Sequence, residues 1–129
     1  MPIRYTIDTA RRVVVSTGKD RLTYVEVRDH QDRLIVDRRF DPTFNQLIDL
    51  TTLTDLAIST EEAQKIATRR LFSPTSRRAY VAIRPHIFGI GRLMQAHHDL
   101  AGRKSEVEIF DDLDQAKKWL GLETESIPS

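Results

Sequence analysis

Between residues 17 and 120 the sequence alternates between short apolar runs and helical patterns that open with a start signal. Leu47-Ile48-Asp49-Leu50 and Tyr80-Val81-Ala82-Ile83 are two such runs, and an amphipathic pattern follows each of them. Alternating strands and helices imply a sheet that is covered by helices. We therefore predict a single α/β domain in which a mixed sheet of about five strands packs with about four helices.

The strands are predicted from period-two alternation and from runs of branched apolar residues. The first two strands, residues 3–8 and 12–17, should form an antiparallel hairpin, and Gly18 is expected to end the second. Strands joined through a helix should be parallel. The remaining strands are predicted at residues 46–51, 78–83 and 106–110, with residues 53–58 either extending the third or forming a short neighbour.

The helices are predicted from their caps. Thr23 with Glu26, and Ser59 with Glu62, have the spacing of a capping box. Pro85 is typical of a first helical position, and Asp111 is expected to cap the last helix. The predicted helices are Tyr24–Ile35 and residues 60–71, 85–101 and 112–120.

Size and composition limit the class of protein. The chain has 129 residues and a formal net charge of +1, so we expect one domain over residues 1–122, a disordered tail over residues 123–129, and no bulk attraction for nucleic acid. There is no cysteine, which excludes thiolate catalysis, disulfides and sulfur-ligated zinc. The N-terminus lacks a signal-peptide pattern and no apolar run could span a membrane, so we expect a cytoplasmic protein.

Several segments together carry a resemblance to a known fold. They are Phe40-Asp41-Pro42-Thr43-Phe44 leading into Leu47-Ile48-Asp49-Leu50-Thr51, Leu56-Ala57-Ile58-Ser59-Thr60-Glu61-Glu62, Arg78-Ala79-Tyr80-Val81-Ala82, Phe88-Gly89-Ile90-Gly91-Arg92-Leu93-Met94, and Val107-Glu108-Ile109-Phe110-Asp111-Asp112-Leu113 with Trp119-Leu120. The chain resembles the STAS-like fold, and more closely its SpoIIAA-like group, which is related to SEC14 lipid-binding domains. The resemblance implies a bacterial protein that binds a ligand or partner and does no chemistry.

The resemblance also implies a candidate phosphorylation site at Ser59. The best-studied STAS proteins are switched by phosphorylation of a serine at the start of the helix after the central strand, within an Asp-Ser-Ser-Gly motif. This chain has Ala57-Ile58-Ser59-Thr60 there, without the preceding aspartate and the glycine. The residues themselves favour a helix N-cap for Ser59, because Glu62 follows three positions later.

The junction between the fourth strand and the third helix is the candidate contact site, because ligands enter open α/β sheets where strands end and helices begin. Arg84 and Arg92 would supply positive charge there. Two glycines inside a helix need a reason, which is either close packing on the sheet or close approach of a ligand or partner. We label the predicted fourth strand, residues 78–83, β4 and the predicted third helix, residues 85–101, α3. We name their junction the β4–α3 corner and define it as Arg84, His86, Phe88, Gly89, Gly91 and Arg92.

Phe88 lies on the polar face of the predicted helix, which indicates either a partner surface or a position beneath a neighbouring loop. His97 and His98 are adjacent, so they point in different directions and cannot grip a metal from one helix face. We find no nucleophile beside a base at a recognisable spacing, and we predict no catalytic residue, metal or cofactor.

The sequence therefore favours a non-enzymatic binding or protein-interaction module of STAS-like type. Its ligand would be a small anionic or lipid-like molecule, or its partner a regulatory protein, with a homodimer formed through the third helix. The alternative is a small enzyme that binds an anionic substrate at the β4–α3 corner.

Overall fold

The computed structural model of the protein describes residues 2–69, 71–100 and 107–122, and the helical backbone alone for residues 97–100. Its strands form one mixed sheet in which they lie in chain order. β1 pairs with β2 antiparallel, and every other neighbouring pair is parallel. The strands are β1 (Ile3–Asp8), β2 (Val13–Thr23), β3 (Asn45–Ala57), β4 (Arg78–Val81) and β5 (Val107–Phe110).

The helices cover both faces of this sheet, three on one face and one on the other. Ile48 and Tyr80 pack in clusters with residues of the first three helices, whereas their neighbours Leu47 and Ala79 pack with Ala116 of the last. This is the alternation of side chains expected of strands buried on both faces. The helices are α1 (Tyr24–Ile35), α2 (Thr60–Thr68), α3 (Pro85–Leu100) and α4 (Leu113–Trp119).

The mixed sheet of five strands with four helices confirms the predicted fold class. The strands that a helix connects are parallel, as the crossover rule requires. The carboxyl ends of β2, β3 and β4 therefore lie at one edge of the sheet, next to the starts of α1, α2 and α3.

The second strand is longer than predicted. It continues through Gly18 to Thr23, with register shifts on either side of Asp20, whose φ is 64°. A Cβ atom at position 18 would lie 3.0 Å from Cδ2 of Leu50, so the glycine lets this side chain pack closely on the strand. Gly18 marks a close approach within the sheet and does not end the strand.

Other boundaries differ by a few residues. The third strand is one continuous element to Ala57, the second helix ends at Thr68, and the fourth strand ends at Val81. Asp112, and not Asp111, caps α4: its Oδ1 accepts from the backbone N–H groups of Asp114 and Gln115. The predicted end of the third helix at residues 101–102 and the predicted tail, residues 123–129, lie outside the described residues.

Candidate functional site

The β4–α3 corner has an exposed charged side. Arg84 and His86 are both exposed, and Nε2 of His86 lies 3.9 Å from Oδ1 of Asp55 at the end of β3. The same Asp55 carboxylate accepts a hydrogen bond of 3.1 Å from Nε of Arg21. Both contacts are exposed to solvent and therefore contribute little to stability. They form a mixed-charge rim along the sheet edge.

Phe88 makes its contacts within the chain itself. Its ring is half-buried and packs against the core cluster that contains Leu22, Leu56 and Ile87. The guanidinium carbon of Arg92, one helical turn further on, lies 5.2 Å from the centre of the ring. This cation–π contact accounts for a phenylalanine on the polar face of α3.

The two glycines of α3 have different surroundings. A Cβ atom on Gly91 would lie 3.2 Å from Cδ1 of Ile109 on β5, so this position allows close packing of the helix on the sheet. A Cβ atom on Gly89 would meet no atom within 4 Å, and Gly89 is exposed. Close packing therefore accounts for Gly91, while Gly89 remains open to a partner.

Ser59 caps α2. Its Oγ accepts a 3.1 Å hydrogen bond from the Glu62 backbone N–H, and Oε1 of Glu62 accepts one of 2.9 Å from the Ser59 N–H. This is a complete capping box. Phosphorylation of Ser59 stays a prediction, and its phosphate would meet the Glu62 carboxylate at close range.

The side chains of His97 and His98 lie outside the described residues. Within the part of the chain that the structure describes, no three His, Asp or Glu residues are grouped closely enough to hold a metal ion. Nor is any helix in that part both long and apolar enough to cross a bilayer.

A cavity of about 60 Å³ lies between the sheet and the helices α1 and α2. Its walls are mostly apolar, and include Ile48 and Leu50 of β3, Ile66 of α2 and Met94 of α3. A volume of this size holds roughly two to four water-sized groups. No pattern in the sequence predicts this cavity.

A buried polar cluster forms part of the cavity wall. Nε2 of Gln46 donates a hydrogen bond of 3.0 Å to Oγ of Ser16, and this hydroxyl lies 3.0 Å from Nε2 of His30. Ser16 is fully buried, and Gln46 and His30 are 7% and 6% exposed. Three polar side chains from β2, β3 and α1 thus satisfy one another in the interior.

The histidine of this cluster is held in its neutral form. The pKa of His30 is lowered from 6.5 to about 4, chiefly by burial and also by the positive charge of Arg33, while Asp29 acts in the opposite direction. A neutral imidazole accepts a hydrogen bond at one nitrogen. The Ser16 hydroxyl, which already receives a hydrogen from Gln46, is the donor that suits Nε2.

Arg78 adds a positive charge to the same wall. It is 7% exposed, it is the register partner of Gln46 on the neighbouring strand, and its guanidinium carbon lies 5.3 Å from the Phe72 ring centre. Its chain neighbour Arg77 is exposed and donates to the backbone oxygen of Trp119 instead. The Arg77-Arg78 pair therefore divides between the surface and the cavity, with Arg77 just before β4 and Arg78 as its first residue.

Gln31 lies between the cavity and solvent. It lines the cavity, it is half-buried, and its Oε1 accepts a 3.1 Å hydrogen bond from Nη1 of Arg69, just after α2. Nη2 of the same arginine donates to Oδ1 of Asp32 at 2.6 Å. Arg69 therefore links α1 to the end of α2 on the outer side of the cavity.

Comparison with solved structures found a protein of the same architecture. The crystal structure of an uncharacterised protein of the DUF3478 family from Shewanella loihica PV-4, with a SpoIIAA-like fold, aligns at a TM-score of 0.56 and 18% identity. The alignment covers 92% of this chain and 93% of that chain. This chain has a SpoIIAA-like fold. The likeness confirms the fold that the sequence predicts, while comparisons with family models and with curated proteins found no match.

The cavity of this SpoIIAA-like domain is formed by residues that sequence patterns do not bring together. Ser16, His30, Gln46 and Arg78 come from four elements and are separated by at least fourteen positions. One signal was present: Gln46 and Arg78 are polar residues that directly precede apolar segments of their strands. Both positions were predicted to lie in strands, but the face that they share was not predicted.

Proposed function

We propose that this SpoIIAA-like domain is a non-enzymatic binding module that holds a small, mostly apolar molecule in the cavity between the sheet and α1–α2. The observation that carries the proposal is a cavity of about 60 Å³ whose walls are apolar except for hydrogen-bonding groups along one side. Ligand sites in proteins have this composition, with a few polar groups that orient the ligand.

The chemistry of the polar cluster supports binding over catalysis. Ser16 beside His30 has the geometry of a nucleophile with its base. A histidine whose pKa lies at about 4 is a weak base at neutral pH, and Ser16 has no exposed surface. The pair is better suited to holding the cavity wall in one arrangement.

The proposal is tested with methyl-labelled protein in NMR titrations of propanol, propanamide and propionate. We expect at least one probe to shift the methyl resonances of cavity residues such as Ile48, Leu50 and Met94. Val27→Phe should abolish these shifts, because Val27 lines the cavity and a larger side chain fills it. Val15→Phe is the matched control, because Val15 is also a half-buried valine but packs with the α4 cluster on the opposite face.

Two outcomes would contradict the proposal. One is that none of the three probes shifts a cavity methyl. The other is that Val27→Phe, shown by thermal denaturation to be folded, keeps the shifts of the unmodified chain.

The β4–α3 corner is proposed as a secondary contact surface. Arg84, Gly89 and Arg92 are exposed and accessible to a regulatory protein or a second copy of the chain. The predicted homodimer through α3 is measured by light scattering on Gly89→Arg with Arg92→Glu, since Phe88→Asp would also disturb the core. A dimer mass that both substitutions leave unchanged would refute this interface. Phosphorylation at Ser59, a bacterial source and a cytoplasmic location stay predictions.

A further inference from the structure

The cavity has a polar end and an apolar end. Gln46 and Arg78 are register partners on β3 and β4, and both lie near the start of their strands. Two positions further along each strand, on the same face, stand Ile48 and Tyr80, and Leu50 follows on β3. A molecule in this cavity thus meets Gln46 and Arg78 at one end and mostly hydrocarbon further along β3 and β4, with Ser16 beside Ile48 on the β2 side.

The polar end carries positive charge at every relevant pH. A guanidinium stays protonated in proteins and has five N–H donors, so Arg78 can interact within the protein and still present donors to a ligand. Among the described residues that line the cavity there is neither an aspartate nor a glutamate, and His30 is neutral. Because the surroundings are apolar, charge-assisted hydrogen bonds there are stronger than at the surface.

Resting on the function proposed above, we propose that the ligand is a short-chain monocarboxylic acid, bound as its carboxylate. The carboxylate accepts hydrogen bonds from the Arg78 guanidinium, whose planar donor pair matches two carboxylate oxygens. The hydrocarbon chain lies along Ile48 and Leu50. Gln46 contributes its second amide hydrogen, since one is donated to Ser16.

Charge favours a carboxylate over a phosphate. A cavity of about 60 Å³ limits either anion to a few non-hydrogen atoms, so size does not separate the two. A phosphate carries a charge closer to −2 and three strong acceptor oxygens, and it would meet one lining arginine. Such a dianion would lose more hydration than this end of the cavity restores.

The deciding experiment compares propionate with propanamide, which has nearly the same shape but no charge. Both are titrated into the full chain and followed through the cavity methyl resonances. We expect propionate to bind about tenfold more tightly or better, the advantage typical of hydrogen bonds to charged groups. Arg78→Met should remove the difference, whereas Arg77→Met, the matched change at an exposed neighbour, should leave it intact.

The outcomes separate this inference from the function on which it rests. If propanamide and propanol bind as tightly as propionate, the carboxylate inference is wrong and the cavity remains a binding site for neutral molecules. If propionate binds more tightly but Arg77→Met abolishes the difference as fully as Arg78→Met, the assignment to Arg78 is wrong. If no probe shifts a cavity methyl, the proposed function fails and this inference fails with it. The comparison of propionate with propanamide needs no variant, so it decides even if Arg78→Met does not fold.

Discussion

His30 makes folding stability depend on pH. Its pKa is about 4 in the folded chain, because burial disfavours the charged ring, and its ordinary value is 6.5. Between these values the unfolded chain binds a proton that the folded chain does not, so falling pH favours unfolding. We expect this residue to lower the free energy of unfolding by about 3 kcal/mol in total as pH falls from about 7.5 to about 3, with most of the loss between 6.5 and 4.

Denaturant titrations across this pH range measure the effect in the unmodified chain and in His30→Gln, which does not titrate. The variant should lose less stability than the unmodified chain as pH falls. Asp37, whose pKa the hydrogen bonds from Arg39 and Tyr5 hold below its usual range, contributes equally to both proteins. If His30→Gln and the unmodified chain have the same pH profile, His30 is not the buried neutral group described above.

The two glycines of α3 provide a matched pair of substitutions. Alanine favours a helix interior over glycine by about 1 kcal/mol, so Gly89→Ala should stabilise the chain by up to that amount. At Gly91 the new methyl would crowd Ile109 at 3.2 Å, which offsets the gain. We expect Gly91→Ala to be less stable than Gly89→Ala by about 1 kcal/mol in denaturant titrations. Equal stabilisation by both would mean that Gly91 is not required for packing on β5.

At the scale of the element, the two capping boxes are the features that sequence spacing predicted best. Thr23 with Glu26 and Ser59 with Glu62 form reciprocal hydrogen bonds at the starts of α1 and α2. A capping box is local in sequence, so a single chain contains all of its information.

Ser59 gives the corresponding prediction. Ser59→Ala should lower the free energy of unfolding by about 1 kcal/mol, because the Glu62 N–H loses its acceptor. Ser59→Asn, which also caps helices well, should restore most of this loss. Thermal or denaturant unfolding of the unmodified chain, Ser59→Ala and Ser59→Asn measures these differences in stability. If Ser59→Ala is as stable as the unmodified chain, the cap does not stabilise the fold. That result would favour the hypothesis that Ser59 is a phosphorylation site.

Boundaries that depend on tertiary contacts could not be predicted in the same way. Glycine is a residue type that disfavours strands, yet Gly18 lies inside β2, because Leu50 of the neighbouring strand fills the space beside it. Asp111 and Asp112 are equally good caps by residue type. Backbone geometry selects Asp112, whose carboxylate reaches two N–H groups of the first turn. The exact ends of strands and helices thus depend on packing and on the direction of the chain, and a short stretch of sequence does not specify either of these.

At the scale of the whole molecule, the order of strands and helices along the sequence predicted the fold. The cavity could not be predicted from the sequence. The handedness of strand–helix–strand crossovers and the alternation of strand and helix patterns are nearly sufficient to predict the topology of the sheet. The cavity depends on how far α1 and α2 stand from the sheet, which is set by side chains on three layers at once. The residues of the β4–α3 corner could be grouped from the sequence because all of them lie between positions 84 and 92. The four polar cavity residues are far apart in the sequence and come together only in the folded chain. They are Ser16, His30, Gln46 and Arg78.

The link between α1 and α2 yields a prediction about exchange with solvent. Arg69 bonds Gln31 and Asp32 across the outer side of the cavity, and Gln31 is a wall residue. Because Asp32 is exposed and Arg69 is partly exposed, we expect the link to contribute about 1 kcal/mol to stability. Its removal should instead speed the entry and departure of a cavity ligand, because opening between the helices no longer breaks these bonds.

Arg69→Ala and Arg28→Ala form the test, since both arginines approach the same Asp32 carboxylate. Arg28 does so at 3.9 Å within α1, as an i,i+4 pair, and its contacts with the described residues stay within that helix. We expect similar small losses of stability from both changes. Only Arg69→Ala should raise the exchange rate of bound propionate, measured from NMR line shapes. Faster exchange in both variants, or in neither, would show that the Arg69 link does not control access to the cavity.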